Sequence, residues 1–250
     1  MRRGKGPSVL LIHGFGEDHR IWEEIAGELE KDFSLIIPDL PGSGRSAAIA
    51  DMSMEGLATA LLPLLPDTPV TVIGHSMGGY IALAMLEKFP DRLNALGLFH
   101  STSYADTEEK KANRRKGIEF INQYGAFEFL KTSIPNLFSP LSRQKMPDKL
   151  KEFTDQQSNS LVSSLVSYYE AMMARPDRRH LLRSSSLPVL FLLGKYDTAV
   201  PISDGLEQSH LPGVSYIHIL RRSGHLGMME ETEAALSALK NFLFQVQKQL

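Results

Sequence analysis

Residues 70–79 of this 250-residue chain have the sequence VTVIGHSMGG. The first four form an apolar, β-rich run typical of a buried strand, and the residues after the serine follow a helical pattern. A strand, the motif GxSxG and a helix, in that order, predict a tight turn that presents the hydroxyl of Ser76 at its tip as a nucleophile. Such a turn needs small residues two positions before and two after the serine, which Gly74 and Gly78 supply. The alternative interpretation is an incidental serine in a glycine-rich turn.

Short apolar runs that are continuous rather than alternating recur along the rest of the chain. Continuous runs are typical of strands buried on both faces, as in a parallel sheet covered by helices. They occupy residues 9–12, 34–37, 95–99, 189–193 and 216–220, and helical patterns occupy residues 22–31, 54–65, 77–89 and 231–249. This alternation predicts an α/β fold with a doubly wound, mostly parallel sheet of six to eight strands.

The alternation stops between residues 103 and 186, a segment without a convincing strand pattern. Helical patterns cover residues 113–124 and 149–175, and Asp106 is predicted to be the N-cap of the first helix. A helical block between two strands of a parallel sheet predicts a lid over the site, which we call the cap. The expected domains are therefore an α/β core, residues 1–102 and 187–250, and a helical cap, residues 103–186.

Composition excludes several classes of protein. The absence of cysteine excludes disulfides, thiolate zinc sites and a cysteine nucleophile. A formal net charge of −2 is too balanced to indicate a nucleic-acid partner. No apolar stretch reaches the length of a membrane span, and no signal-peptide pattern follows the basic start, so we expect a cytoplasmic protein. Nothing in the sequence indicates a metal or an organic cofactor.

The loop after the first apolar run, His13-Gly14-Phe15-Gly16, suits an oxyanion hole. Attack on an ester produces an alkoxide that two preorganised donors must stabilise. The residue after the nucleophile, Met77, can supply one backbone N–H, and Phe15 is the natural source of the second. A simple strand–helix turn is the alternative interpretation of this loop.

Two later loops supply an acid and a base. Asp197 follows the run 189–193, and His225 follows the run 216–220, so both are expected at the carboxyl edge of the sheet with Ser76. A carboxylate can orient a histidine, and that histidine can take the serine proton and pass it to the leaving group. Weaker candidates are Asp204 and Asp106 for the acid and His210 and His218 for the base, while His13 and His100 end strands and could line the pocket.

With these residues in the order Ser76, Asp197, His225, the chain resembles the α/β-hydrolase superfamily. The resemblance is carried by residues 10–22, 36–46, 72–82, 192–201 and 221–231. It implies that the three residues converge as a triad, that Phe15 and Met77 form the oxyanion hole, and that residues 103–186 are the cap.

The chain departs from the family pattern at two points. The first strand begins near residue 8, which leaves no room for both strands of the family's antiparallel N-terminal hairpin, so a sheet of six or seven strands is expected. The nucleophile is serine rather than aspartate, which disfavours haloalkane dehalogenases and epoxide hydrolases.

These observations favour a serine-dependent carboxylesterase that acts on a small-molecule ester or related acyl substrate, with no cofactor. A second hypothesis keeps the triad for carbon–carbon bond hydrolysis or for a cofactor-free lyase reaction like that of the menaquinone-pathway synthase. That family typically carries a carboxylate-binding arginine where this chain has Tyr80, which counts against it. A non-catalytic receptor of the same fold is the third hypothesis. The oligomeric state is not predicted.

Overall fold

A computed structural model describes residues 1–248, and a seven-stranded sheet lies at its centre. The strands are β1 (Arg2–Arg3), β2 (Ser8–Ile12), β3 (Ser34–Ile36), β4 (Val70–His75), β5 (Leu93–Phe99), β6 (Val189–Gly194) and β7 (Ser215–Leu220). Their order across the sheet is β1-β3-β2-β4-β5-β6-β7. The short edge strand β1 pairs antiparallel with β3, and all other pairs are parallel. The predicted fold class is therefore confirmed.

Helices cover the sheet and fill the segment between β5 and β6. In chain order they are α1 (Glu23–Leu29), α2 (Met54–Leu61), α3 (Met77–Lys88), α4 (Glu108–Tyr124), α5 (Ala126–Leu137), α6 (Pro140–Lys145), α7 (Pro147–Asp155), α8 (Val162–Ala174), α9 (Arg179–Ser184), α10 (Ile202–Gln208), α11 (Gly227–Glu230) and α12 (Thr232–Gln247). Helices α4 to α9 lie between β5 and β6, and below the word cap denotes this helical segment. The last predicted helix extended to Gln249, which lies outside the described residues.

The prediction of one helix over residues 149–175 is wrong, because the chain forms α7 and α8 with a turn between them. The turn contains the sequence Gln157-Ser158-Asn159-Ser160. Serine and asparagine side chains compete for backbone hydrogen bonds, which weakens a helix interior. Here the chain leaves the helix through short-range backbone bonds, from Gln157 N–H to the Thr154 carbonyl and from Ser160 N–H to the Gln157 carbonyl.

The junction of β4 and α3 has no space for larger side chains. All six residues of β4 are buried. A Cβ atom on Gly74 would lie 2.3 Å from the carbonyl oxygen of Gly78, and one on Gly78 would lie 2.4 Å from that of Ile12. Because the backbone approaches so closely, the turn that presents Ser76 needs glycine at both positions.

Asp106 anchors the cap and is not the N-cap of α4, contrary to the sequence prediction. Thr107 is the N-cap, and its hydroxyl accepts a hydrogen bond from Lys110 N–H. The carboxylate of Asp106 is fully buried and pairs with Arg114 at 2.5 Å and with Arg175 at 2.9 Å. Since Arg175 directly follows α8, one buried acid joins the first long helix of the cap to the last one.

We expect Gly74→Ala to destabilise the protein by at least about 2 kcal/mol, because the added methyl group meets backbone rather than a movable side chain. Gly27→Ala is the matched control, since it lies within α1 and a Cβ there meets nothing within 4 Å. The control should gain about 0.5–1 kcal/mol from helix propensity. Urea unfolding followed by circular dichroism measures both, and equal midpoints for Gly74→Ala and the wild type would contradict the packing argument.

Asp106→Asn should cost about 3–5 kcal/mol, because it leaves two arginines in the cap without their buried counter-charge. Thr107→Ala, which removes only the N-cap bond, should cost about 1 kcal/mol. The comparison uses free energies of unfolding from the same urea titrations. A larger loss for Thr107→Ala than for Asp106→Asn would contradict the anchoring role of Asp106.

Candidate active site

The predicted acid and base are in direct contact. Asp197 lies just after β6 and His225 just after β7, and the His225 Nδ1 atom is 2.7 Å from Asp197 Oδ2. The other carboxylate oxygen, Oδ1, accepts hydrogen bonds from the backbone N–H groups of Ala199 and Val200, both at 2.9 Å. Both side chains are buried. The carboxylate is therefore held by its own loop and directed at one nitrogen of the imidazole.

The electrostatics of this pair favour an ionised acid. Burial opposes the charge on Asp197, but the adjacent imidazoles of His225 and His100 and the hydrogen bond to His225 hold the pKa of Asp197 well below its usual range. Burial also disfavours the charged form of His225, yet the Asp197 carboxylate outweighs it and raises the pKa of His225. An imidazolium formed at His225 is therefore stabilised where it arises.

Ser76 occupies the tip of the turn between β4 and α3 in a strained conformation. Its φ is +50°, in the left-handed region that residues other than glycine seldom adopt. Its N–H donates to the Phe99 carbonyl at 2.9 Å, and its carbonyl accepts from the Ser101 hydroxyl at 2.7 Å. Within residues 1–248 its own hydroxyl makes no hydrogen bond to another protein group. Hydrogen bonds thus fix the backbone of Ser76, while its hydroxyl group has no hydrogen-bond partner in the described residues.

His75 joins this turn to the base. Its Nε2 atom is 2.9 Å from the carbonyl oxygen of His225, and the two rings have centroids 5.0 Å apart. The residue next to Ser76 is therefore bonded to the backbone of His225. No direct bond links the Ser76 hydroxyl to the His225 ring in the described chain; in unliganded sites this bond is often long and tightens when substrate binds.

Two unused backbone donors lie beside the turn, at Phe15 and Met77. Neither N–H has a hydrogen-bond partner within the part of the chain that the structure describes. Met77 is the first residue of α3, where N–H groups lack helical partners and the helix dipole is positive. The Phe15 loop comes close as well, since a Cβ on Gly14 would lie 3.1 Å from Ser76 Cβ.

Glu17 is a residue of this site that the sequence did not reveal. Its Oε2 atom accepts a hydrogen bond from Gly14 N–H at 2.7 Å and lies 3.0 Å from His75 Nδ1. Burial opposes its ionisation, but His75 and the Gly14 N–H together lower the pKa of Glu17. The Phe15 loop, the turn and the backbone of His225 thus form one buried network. The only sequence signal was the position of Glu17 just after the glycine-rich loop.

The weaker candidates from the sequence lie elsewhere. Asp204 faces Lys110 at 3.4 Å, and Asp106 is occupied by arginines. His210 is exposed, and His218 lies half-exposed within β7.

The two histidines expected to line the pocket have different roles. His13 is structural: its Nε2 accepts from Leu40 N–H, its Nδ1 bonds the Gly14 carbonyl, and burial lowers its pKa. His100, by contrast, contacts Asp197, with 3.4 Å between Nδ1 and Oδ2.

Helix α5 of the cap docks on the loops that carry the acid and the base. The Leu137 carbonyl accepts from His225 N–H at 2.7 Å, and the Asn136 carbonyl accepts from the Thr198 hydroxyl at 3.3 Å. These carbonyls belong to the last turn of the helix, where no helical donor follows. The backbone of His225 is therefore positioned partly by the cap.

Aromatic side chains of the cap lie over the Phe15 loop. The Phe15 ring stacks on Tyr169 with centroids 4.2 Å apart, and Phe129 and Tyr168 meet it edge-on. Beside them a cleft of about 470 Å³ separates loops 16–20 and 39–46 from cap residues 156–165. Glu17, which contacts His75 in the turn, is one of the residues that line this cleft.

One group of side chains in residues 1–248 could share a metal ion, namely Asp18, His19 and Asp39. Each already has a protein partner, because Arg20 pairs with Asp18 at 2.5 Å and His19 bonds Asp39 at 2.5 Å. The two carboxylates of the group are therefore already engaged by protein partners.

Among the described helices, none has the length and apolar character needed to cross a membrane.

Known proteins match this fold and sequence along most of the chain. Residues 7–232 match the family model described as the alpha/beta hydrolase fold. The pimeloyl-[acyl-carrier protein] methyl ester esterase of Vibrio atlanticus is 30% identical over 96% of this chain and 95% of that protein.

Solved structures also match this chain along most of its length. A thermophilic esterase from Thermogutta terrifontis superposes with a TM-score of 0.91 and 30% identity, over 98% of this chain and 92% of that one. The enol-lactonase of Burkholderia xenovorans LB400 has the same fold, with a TM-score of 0.89 at 21% identity over 98% and 95% of the two chains. The chain therefore belongs to the α/β-hydrolase family, as an esterase-like hydrolase.

Proposed function

We propose that this protein hydrolyses a carboxylic ester through an acyl-enzyme intermediate, with Ser76 as nucleophile, His225 as general base and Asp197 as its orienting acid. The observation that carries the proposal is the 2.7 Å contact between Asp197 and His225 beside the strained turn that presents Ser76. The strain has a use in this scheme, because it holds the hydroxyl at the open tip of the turn.

In the first half of the reaction, His225 takes the proton of the Ser76 hydroxyl while the serine oxygen forms a bond to the ester carbonyl carbon. The carbonyl oxygen becomes an alkoxide, and the N–H groups of Phe15 and Met77 bind it. When the carbon–oxygen bond to the alcohol breaks, His225 returns the proton to the leaving alcohol. The acyl group then remains on Ser76.

In the second half, His225 takes a proton from water as the water oxygen attacks the acyl carbon. The bond to Ser76 breaks, the serine regains its proton from His225, and the carboxylic acid leaves. Asp197 stays ionised throughout and stabilises the transient imidazolium. Every proton that one step releases is consumed in the next, so these side chains and water complete the cycle.

We infer a small-molecule ester as the substrate, taken up beneath a cap of residues 103–186 in a cytoplasmic enzyme. The relatives named for the methyl ester of an acyl-carrier-protein conjugate make short-alcohol esters the first class to assay. The cysteine-free composition fits the proposed location at least as well as a secreted one.

Ser76→Ala should abolish both ester hydrolysis and covalent labelling by a fluorophosphonate, because both need the serine oxygen as nucleophile. Ser184→Ala is the matched control, since Ser184 is an exposed serine of α9. It should label and turn over p-nitrophenyl acetate like the wild type. A wild-type protein that resists the probe and hydrolyses no ester would support a receptor, and turnover of a diketone alone would support carbon–carbon bond cleavage.

The pH dependence of kcat/KM follows from the raised pKa of His225. The base must be neutral to accept a proton, so activity falls as the pH decreases through that pKa, and the midpoint should lie above about 6.5. Asp197 adds no second transition in this range, because its own pKa is held below the usual value. Initial rates between pH 5 and 9 provide the measurement, and a flat profile down to pH 5 is inconsistent with a histidine base.

A further inference from the structure

His100 directly follows β5 and lies in a strained conformation of its own. Its φ is +50°, and apart from Ser76 it is the only residue other than glycine in residues 1–248 with a positive φ. Its side chain is completely buried. Strained residues persist where the surrounding structure determines them, and they cluster at functional sites.

The ring of His100 fits a space that two glycines leave open. A Cβ on Gly227 would lie 2.5 Å from His100 Nε2, and one on Gly194 would lie 2.9 Å from His100 Cε1. Gly194 ends β6 and Gly227 begins α11, so both flank the loops of the acid and the base. Any larger residue at either position would displace the ring.

Backbone geometry determines which nitrogen of His100 carries the proton. The N–H of Gly227 donates to His100 Nε2 at 3.1 Å, so Nε2 is the acceptor and the proton of the neutral ring lies on Nδ1. Burial lowers the pKa of His100, which is consistent with a neutral ring. The buried Nδ1 atom makes no hydrogen bond within the described residues, and Asp197 Oδ2 lies 3.4 Å from it.

We propose that His100 is a positioning residue of the triad, whose Nδ1–H is directed at the Asp197 oxygen that also receives the Nδ1–H of His225. The two rings have centroids 5.8 Å apart and converge on that one atom from different strands. A second donor restrains the carboxylate and takes up part of its negative charge. The kinetic part of this inference rests on the proposed function, whereas the position of the proton on His100 does not.

The test compares His100→Asn with His100→Leu. An asparagine amide places an N–H donor where histidine has Nδ1, and asparagine tolerates a positive φ. Leucine has a similar size and no donor. Both variants lose the bond to Gly227 equally, and the other titratable groups around the two rings, His75, Glu17 and Glu230, are unchanged. Leucine tolerates a positive φ less well than asparagine, which affects stability, so the readout for the donor to Asp197 is the pH midpoint of kcat/KM rather than stability.

We expect His100→Leu to move the acid midpoint of kcat/KM upward by roughly half to one pH unit, because Asp197 then gives its full charge to His225. His100→Asn should return the midpoint to about 0.2 unit from the wild type, with KM unchanged in both. Identical profiles for the two variants would overturn the proposal.

Nuclear magnetic resonance of the ¹⁵N-histidine-labelled wild type tests the same idea without any variant. We expect His100 to be protonated on Nδ1 and unprotonated on Nε2 from pH 5 to 9. A proton on Nε2 would refute the assignment even if His100→Leu does not fold. If the wild type hydrolyses no ester, titration of the His225 resonance in the labelled wild type and in labelled His100→Leu still reports the effect of His100, so failure of the proposed function is distinguishable from failure of this inference.

Discussion

The buried hydrogen bond between Asp197 and His225 is the interaction on which the rest of the site depends. A carboxylate out of water is costly unless donors surround it, and here two backbone N–H groups and two imidazoles approach it. These donors come from the ends of β5, β6 and β7, so they meet only because parallel strands present their carboxyl ends at one edge of the sheet. The parallel sheet brings these donors together, and Asp197 can therefore remain ionised in the interior.

A second constraint ties the cap to the core. The last carbonyls of α5 accept hydrogen bonds from His225 N–H and from the Thr198 hydroxyl, and Tyr169 stacks on Phe15. A movement of α5 would break the bond that holds the backbone of the base. The cleft between loops 39–46 and cap residues 156–165 is lined by other residues and does not include Ser76, Asp197 or His225.

Local sequence was sufficient to predict those features of the fold and the site that depend on chain order and turn chemistry. Three features were predictable because each depends on a few neighbouring residues. They are the tight turn at Ser76, the six parallel strands, and the positions of Asp197 and His225 at strand ends. A run of serine and asparagine indicated that residues 149–175 form two helices. The prediction of one helix gave more weight to the helical pattern on either side of that run. The role of Asp106 was not accessible in this way, because its partner Arg175 lies at the far end of the cap.

The amino-acid sequence by itself determined the order of the elements, the strained turn and the chemical types of the reacting groups, since strand burial and glycine requirements are local properties. Only the tertiary structure decided which histidines surround Asp197 and that Glu17 joins the Phe15 loop to the turn. The reason is physical: a hydrogen bond depends on a few tenths of an ångström between groups dozens of residues apart. Those distances arise from the packing of the whole sheet and its helices, and no short stretch of residues contains them.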